Sequence, residues 1–186
     1  MDDIREKLRK AMSHERFMHS IRVAELAVML AKQFGADVKK AEMAGMLHDC
    51  TRDLDLRQAL IVANKFGIIL DNVTKNSPGI IHAVTGEAVA KHEYNIDDRE
   101  VLDAIRYHTT GRVGMSLLEK IIFIADYTEP FRDFPGACRA RTILKDSLDG
   151  AVLYAMESTI EYLLDKKQLI HLDTVDARNY FYLVQS

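Results

Sequence analysis

Residues 41–49 read Ala41-Glu42-Met43-Ala44-Gly45-Met46-Leu47-His48-Asp49, an apolar run that ends in a histidine beside an aspartate. The run predicts a buried helix, because small and apolar residues occupy most of its faces. At its end, His48 and Asp49 offer a ring nitrogen and a carboxylate to one point in space, as a divalent metal ion requires. A dipeptide this short is a weak motif by itself. Its meaning therefore depends on the rest of the chain.

Helical periodicity continues on both sides of this run, and the alternation typical of strands is nearly absent. Glu129–Gly136 is rich in helix breakers and predicts a loop, and Thr174 is the expected N-cap of the last helix. We see no internal repeat or linker, so we expect one all-α domain over residues 1–186. The predicted helices are Asp2–Met12, Glu15–Phe34, Val38–Asp49, Leu56–Phe66, Gly79–His92, Arg99–Tyr107, Ser116–Tyr127, Arg139–Asp146, Leu148–Lys166 and Val175–Leu183.

The composition is that of an ordinary soluble domain, with 48% hydrophobic and 28% charged residues. A net charge of −3 gives no general attraction to nucleic acid or to an anionic membrane, so an anionic ligand needs a local cluster of positive groups. The acidic segment 1–5 is unlike a signal peptide, and no apolar run approaches the roughly 18 residues of a spanning helix. Cys50 and Cys138 favour a reducing compartment, and Cys50 is better explained as a small buried side chain than as a ligand. We therefore expect a cytoplasmic protein.

Asp126 ends the run 121–125, which is apolar on every side, so its carboxylate should enter or border the core. A buried carboxylate without a partner costs several kcal/mol or becomes protonated. The partner could be a metal ion, an arginine or lysine, or a helix N-terminus. The residues alone leave a structural ion pair and a metal site both open.

Three further histidines lie beside apolar residues: His19 and His82 within separate predicted helices, and His108 directly after the predicted helix Arg99–Tyr107. Any one of them alone is best explained as a hydrogen-bonded core histidine. If all four, His48 included, were core histidines of this kind, each would need its own buried hydrogen-bond partner. This requirement favours one shared site. Mixed imidazole and carboxylate ligands suit Fe(II), Mn(II) or Zn(II) and argue against a calcium site.

Three arginines are close in sequence to these residues. Arg16 precedes His19 by three positions and so shares its helix face, Arg52 follows Asp49 by three, and Arg132 follows the helix of Asp126. Each guanidinium could lie beside a bound ion and its anionic ligand, or could simply face solvent.

The order His19, His48-Asp49, Asp126 resembles that of the HD superfamily of metal-dependent phosphohydrolases. Two longer segments are similar to the YqeK-like family of symmetrical bis(5′-nucleosyl)-tetraphosphatases. The first extends from His108-Thr109-Thr110-Gly111-Arg112 through Met115–Tyr127 to Glu129–Gly136, and the second is Ile170–Asn179. The resemblance covers nearly the whole chain and departs from the family at Leu172, where a proline is usual.

This resemblance implies an HD-domain helical bundle that splits diadenosine tetraphosphate into two ADP, with iron, manganese or another divalent transition metal. It implies a small-molecule nucleotide partner, no nucleic acid and no membrane, and it is compatible with a homodimer. The implied metal ligands are His19, His48, Asp49 and Asp126, and a second ion at His82 and His108 stays open. The implied catalytic groups are Arg16, His82 and His108, and the implied substrate contacts are Arg16, Arg52, His82, His108, Thr109, Asp126, Arg132, His171 and Thr174.

Other functions remain open from the residues alone. The same metal ligands would serve another nucleotidase or phosphodiesterase acting on (deoxy)nucleotides. A nucleotide-binding sensor could keep the ligands without turnover, and a helical interaction domain could use buried histidines without any metal. Measured release of ADP from diadenosine tetraphosphate would distinguish the enzyme that the resemblance implies from another phosphohydrolase and from a sensor without turnover.

Overall fold

The computed structural model describes residues 1–185, which form eleven helices and contain no strand. The prediction of an all-α bundle is therefore confirmed. The helices are α1 (Asp2–Ala11), α2 (His14–Phe34), α3 (Val38–Leu47), α4 (Leu56–Lys65), α5 (Asn72–Lys75), α6 (Pro78–Glu93), α7 (Arg99–Arg106), α8 (Leu117–Thr128), α9 (Pro135–Leu144), α10 (Leu148–Asp165) and α11 (Leu172–Gln185).

Capping side chains set the starts of α2 and α8, the helices that carry His19 and Asp126. Ser13 caps α2, because its hydroxyl accepts the backbone N–H of Arg16 at 3.3 Å. A capping box starts α8, in which Ser116 accepts the N–H of Glu119 and the Glu119 carboxylate accepts the N–H of Ser116 at 2.7 Å. Gly35, with φ of 82°, ends α2 in the left-handed conformation that glycine adopts readily.

The structure corrects the predicted starts of two helices and adds one short helix. Helix α9 begins at Pro135 rather than Arg139, because a proline in the first turn lacks only an N–H that has no intrahelical partner there. Helix α11 begins at Leu172, so Thr174 lies inside its first turn and is not the N-cap. The short α5 was not predicted: Asp71 caps it by accepting the N–H groups of residues 73 and 74 at 2.7 and 3.0 Å.

Helices α2 and α3 pack closely enough that only glycine fits at one point of their contact. A Cβ atom at Gly45 would lie 2.6 Å from Cα and 3.0 Å from N of Ala24, which are backbone atoms and cannot give way. This close approach brings His19 of α2 and His48, just beyond α3, into the same region. The predicted extension of α3 to Asp49 is wrong, since the helix ends at Leu47 and Asp49 lies in the turn that follows.

Helix α8 lies at the centre of the bundle and packs against α2, α3, α7, α9 and α10. Four of its residues, Ile121, Ile122, Ile124 and Ala125, are completely buried. Burial of this apolar surface at about 25 cal/mol per Å² anchors the helix that carries Asp126. Within residues 1–185, no helix is both long and apolar enough to cross a membrane.

Candidate metal centre and substrate cavity

Four of the sequence-predicted side chains meet at the centre of the bundle. His19 comes from α2, His48 and Asp49 from the turn after α3, and Asp126 from α8. His19 Nε2 lies 3.1 Å from Asp126 Oδ1 and 3.6 Å from Asp49 Oδ2. His48 Nε2 lies 3.4 Å from Asp49 Oδ2 and 3.9 Å from Asp126 Oδ1. The donor atoms of His19, His48 and Asp126 are therefore close enough to hold one ion, and those of His48, Asp49 and His108 form a second such group that shares His48.

The donor atoms fit a divalent metal ion. His19 Nε2 and His48 Nε2 are both buried without a hydrogen-bond partner, which is costly unless an ion binds there. Atoms bound about 2.1 Å from one ion lie roughly 3.0–3.4 Å apart, so the observed separations need only a small contraction. His48 Nδ1 lies 2.8 Å from the carbonyl oxygen of Gly45, a contact that presents Nε2 to the cluster.

Asp49 faces a second group of histidines with its other oxygen. Its Oδ1 atom lies 3.1 Å from His82 Nε2 and 3.6 Å from His108 Nε2. The two ring nitrogens lie 3.1 Å from each other, and His108 Nδ1 lies 2.7 Å from the carbonyl oxygen of Ile105. Asp49 therefore stands between two histidine pairs, His19 with His48 on one side and His82 with His108 on the other.

The charges around the two aspartates keep them ionised. Burial by itself raises the pKa of Asp49, but His48, His108 and His82 outweigh it and hold the pKa well below its usual value. Burial likewise raises the pKa of Asp126, and contacts with His19, His48 and Arg132 lower it further than burial raises it. Both carboxylates are thus in the form that binds a cation.

Burial has the opposite effect on His82, whose pKa falls to about 4 because the charged imidazolium is desolvated. Below about pH 6.5 the unfolded chain binds a proton at His82 that the folded chain does not bind until about pH 4. Lowering the pH through this window should therefore reduce the free energy of unfolding of the metal-free chain, by up to about 3 kcal/mol from this residue. The contribution is constant above about pH 6.5.

Urea unfolding in a chelator at several pH values between 7 and 4 measures this effect. His82→Gln should show a shallower loss of stability over that range than the wild type. Asp49 and Asp126, whose pKa values are lowered, contribute to the loss only near and below about pH 4. Equal slopes for the variant and the wild type between pH 6.5 and 4.5 would contradict the assignment.

Three predicted arginines border the cluster. Arg16 Nη1 lies 2.7 Å from Asp49 Oδ2, and Arg132 Nη2 lies 2.9 Å from Asp126 Oδ1. Arg52 donates to the carbonyl of Pro78 at 2.8 Å and lies 3.3 Å from His82 Nδ1. The side chains of Arg16 and Arg132 are 27% and 39% exposed, so each guanidinium has further N–H donors that an anionic ligand can reach.

Two adjoining cavities open onto these residues. The first, of about 350 Å³, contains the metal cluster side chains Asp49 and Asp126 and is bordered by Arg16 and Arg132. The second, of about 660 Å³, is reached past Arg52 and Thr109, which line both. We call them the metal cavity and the long cavity. Thr109 Oγ1 is buried without a partner and is a further free polar group at this junction.

The structure does not bring all predicted substrate contacts to the cluster. His171 and Thr174 line the long cavity and do not line the metal cavity. His171 Nε2 lies 3.2 Å from Asp71 Oδ2, which connects the start of α11 to the start of α5. The predicted residues are therefore spread along two cavities, with the histidine–aspartate cluster at one end.

Glu129 is a site residue that sequence reasoning missed. It is 3% exposed, and its carboxylate lies 3.5 Å from His19 Nδ1. Arg22 donates to it at 2.8 Å, and the N–H of Phe131 donates at 3.1 Å. Burial raises the pKa of Glu129, but Arg22 and the Phe131 N–H outweigh it and lower the pKa. The ionised carboxylate thus faces the ring nitrogen of His19 that points away from the cluster.

Glu129→Gln should weaken metal binding by about tenfold or more, because a carboxylate on the far nitrogen of a ligand histidine orients the ring and raises its basicity. Competition with a chelator for Mn(II) or Co(II) measures this affinity. Glu161→Gln, an exposed substitution on α10, is the matched control and should leave the affinity unchanged. Equal affinities for the two variants would remove Glu129 from the metal centre.

Comparisons with known proteins agree with this geometry. Residues 16–130 match the HD domain family. The chain is 41% identical to a symmetrical bis(5′-nucleosyl)-tetraphosphatase of Halalkalibacterium halodurans, covering 94% of this chain and 92% of the relative. It is 35% identical to the enzyme of that name in Bacillus subtilis, covering 93% and 92%. A crystal structure of a predicted HD superfamily hydrolase involved in NAD metabolism from Clostridium acetobutylicum superimposes with a TM-score of 0.94 at 37% identity, covering 100% and 97%.

Proposed function

The chain belongs to the HD-domain family and to its symmetrical bis(5′-nucleosyl)-tetraphosphatases, and we propose that it hydrolyses diadenosine tetraphosphate symmetrically into two ADP. The observation that carries this proposal is the convergence of His19, His48, Asp49 and Asp126, with two buried nitrogens lacking any other partner. The names of the relatives supply the substrate and the symmetry of cleavage. The partly exposed guanidiniums of Arg16 and Arg132 beside the cluster support an anionic substrate.

We propose a divalent metal ion on these four side chains, with iron as the native metal and manganese or another transition metal as a working substitute. Such an ion supplies an acidified water nucleophile and polarises a phosphoryl oxygen. A second ion also fits the chemistry of the site, because Asp49 Oδ1 lies 3.1 Å from His82 Nε2 and 3.6 Å from His108 Nε2, and the two ring nitrogens lie 3.1 Å apart. Elemental analysis of the purified protein gives the identity and number of ions per chain.

The residues of the chain itself supply charge and protons. Arg16 and Arg132 would neutralise the tetraphosphate, which otherwise repels an attacking nucleophile. His82 is uncharged near neutral pH because of its lowered pKa, so it would act as a neutral hydrogen-bonding group or as a ligand of a second ion. His108 would then be the candidate to protonate the departing ADP.

The long cavity is the proposed binding site of one nucleoside diphosphate half of the substrate. Its volume of about 660 Å³ lies within the roughly 300–1,000 Å³ of ordinary ligand pockets. Arg52 and Thr109 at its entrance would hold phosphate, and His171 and Thr174 would lie further along. We also propose that residues 1–186 form one HD domain working in the cytoplasm without nucleic acid. Sedimentation would show whether it forms a homodimer.

Product analysis tests this function directly. Incubation of the metal-loaded protein with diadenosine tetraphosphate should give ADP alone, and a chelator should stop the reaction. Formation of ATP with AMP would contradict symmetrical cleavage. Faster turnover of a mononucleotide or a cyclic dinucleotide in the same panel would instead favour another phosphohydrolase of the family, and tight binding without product would favour a sensor.

A further inference from the structure

The proposed substrate has two identical halves, but the site does not. None of the four cluster residues lines the long cavity, which adjoins the metal cavity at Arg52, Gly79, Thr109, Thr159 and Tyr162. The metal cavity, of about 350 Å³, is lined largely by Asp49, Asp126 and their neighbours. If the central phosphates lie at the cluster and one nucleoside in the long cavity, the second nucleoside must lie at the outer rim of the metal cavity.

Three partly exposed side chains that line the metal cavity and not the long cavity define this rim. Arg16 and Arg132 are two of them, with side chains 27% and 39% exposed. Phe134 is the third, a ring that is 39% exposed although it is apolar. Two guanidiniums and an exposed aromatic ring in one cavity match the chemistry of phosphates and a base.

Phe134 is held in place by its surroundings. It is the N-cap residue of α9, and its ring meets that of Tyr127 edge to face, with centroids 5.2 Å apart at 89°. Arg141 donates to the carbonyl oxygens of Thr128 and Glu129 at 2.9 and 2.7 Å, which fixes the segment leading from α8 to Phe134. The exposed ring is therefore presented on a supported loop, as a stacking surface for a base should be.

We propose that Phe134 is the platform on which the second nucleobase of the substrate stacks. This proposal rests on the proposed function. It adds the position at which the second nucleoside binds, the one outside the long cavity. Both halves bind, but by different means: one is enclosed, and the other lies against the rim with its phosphates on Arg16 and Arg132. The half at the rim is the more accessible to solvent and would leave first after cleavage.

The test compares two ligands that differ only in the second nucleoside. For each variant, kcat/KM is measured for diadenosine tetraphosphate, and adenosine 5′-tetraphosphate is measured as a competitive inhibitor of the same reaction. Phe134→Ala should lower kcat/KM for diadenosine tetraphosphate by about tenfold or more, the usual effect of removing an aromatic partner of a base. The inhibition constant of adenosine 5′-tetraphosphate should stay within about twofold, since that ligand has no second base.

Phe134→Leu separates stacking from packing, because leucine keeps apolar volume against Tyr127 but has no flat face. It should show the same selective loss as Phe134→Ala. Ile69→Ala is the control: Ile69 is an apolar side chain that is 96% exposed and lines neither cavity. It should change neither quantity.

If Phe134→Ala weakened the interaction with both ligands equally, the substitution would have damaged the loop. If neither kcat/KM nor the inhibition constant changed, the ring would make no contact with the substrate. Either result overturns the proposal, as does wild-type behaviour of Phe134→Leu. Failure of the proposed function would be visible separately, since the wild-type protein would then release no ADP from diadenosine tetraphosphate.

Discussion

Replacing Asp126 with alanine should lower the turnover of diadenosine tetraphosphate by roughly a thousandfold, because a catalytic metal ion contributes several kcal/mol to the transition state. The variant removes one of the two carboxylates from the cluster, where Oδ1 lies 3.1 Å from His19 Nε2. It also deprives Arg132 of its 2.9 Å partner. Elemental analysis should find the metal content strongly reduced alongside the loss of activity.

Asp97→Ala is the matched control for this variant. Asp97 is an exposed carboxylate between α6 and α7, and its removal should leave metal content and turnover at the wild-type level. The prediction fails if Asp126→Ala retains near-normal turnover with a full complement of metal. In that case the carboxylate would be a structural partner of Arg132 only.

Replacing Arg132 has the second largest expected effect. Removal of one preorganised donor to a developing charge typically costs about a hundredfold or more in rate, and Arg132 lines the metal cavity with a side chain that is 39% exposed. Arg132→Ala should therefore lower kcat/KM for diadenosine tetraphosphate by about a hundredfold. Arg132→Lys should recover part of this, because it keeps the charge but loses the planar fork of donors.

Steady-state kinetics separates the two ways in which Arg132 can act. A higher KM with unchanged kcat indicates uniform binding of the phosphates, and a lower kcat indicates contact made only in the transition state. Arg139→Ala, on the exposed surface of α9, is the control and should change neither constant. If both constants are also unchanged in Arg132→Ala, Arg132 has no part in the reaction.

The sequence predicted the helical fold, and polar residues in otherwise apolar helices singled out the histidines and aspartates that lie together in the structure. The assignment of four of them as metal ligands came from the family resemblance and stays a prediction. For Asp126 the residues alone left an ion pair and a metal site open. The structure shows the ion pair with Arg132, and beside it the nitrogen of His19 with which the carboxylate would share a metal ion. The family resemblance, confirmed by the comparisons, favours the metal.

Features that depend on distant parts of the chain could not be predicted. Glu129 contacts His19 and Arg22 only because the segment after α8 folds back onto α2, and it otherwise reads as one polar residue in a loop. The lowered pKa of His82 follows from burial by neighbouring helices. The start of α9 at Pro135 was missed because a proline ends one helix as readily as it begins another.

Diffraction from crystals of the metal-loaded protein, collected at an absorption edge of iron, tests the central claim most directly. The expected result is an anomalous peak about 2.0–2.3 Å from His19 Nε2, His48 Nε2, Asp49 and Asp126 together. A second peak beside His82 and His108 would be compatible with this result. A fully loaded protein whose only peak lies away from these four side chains would contradict the claim.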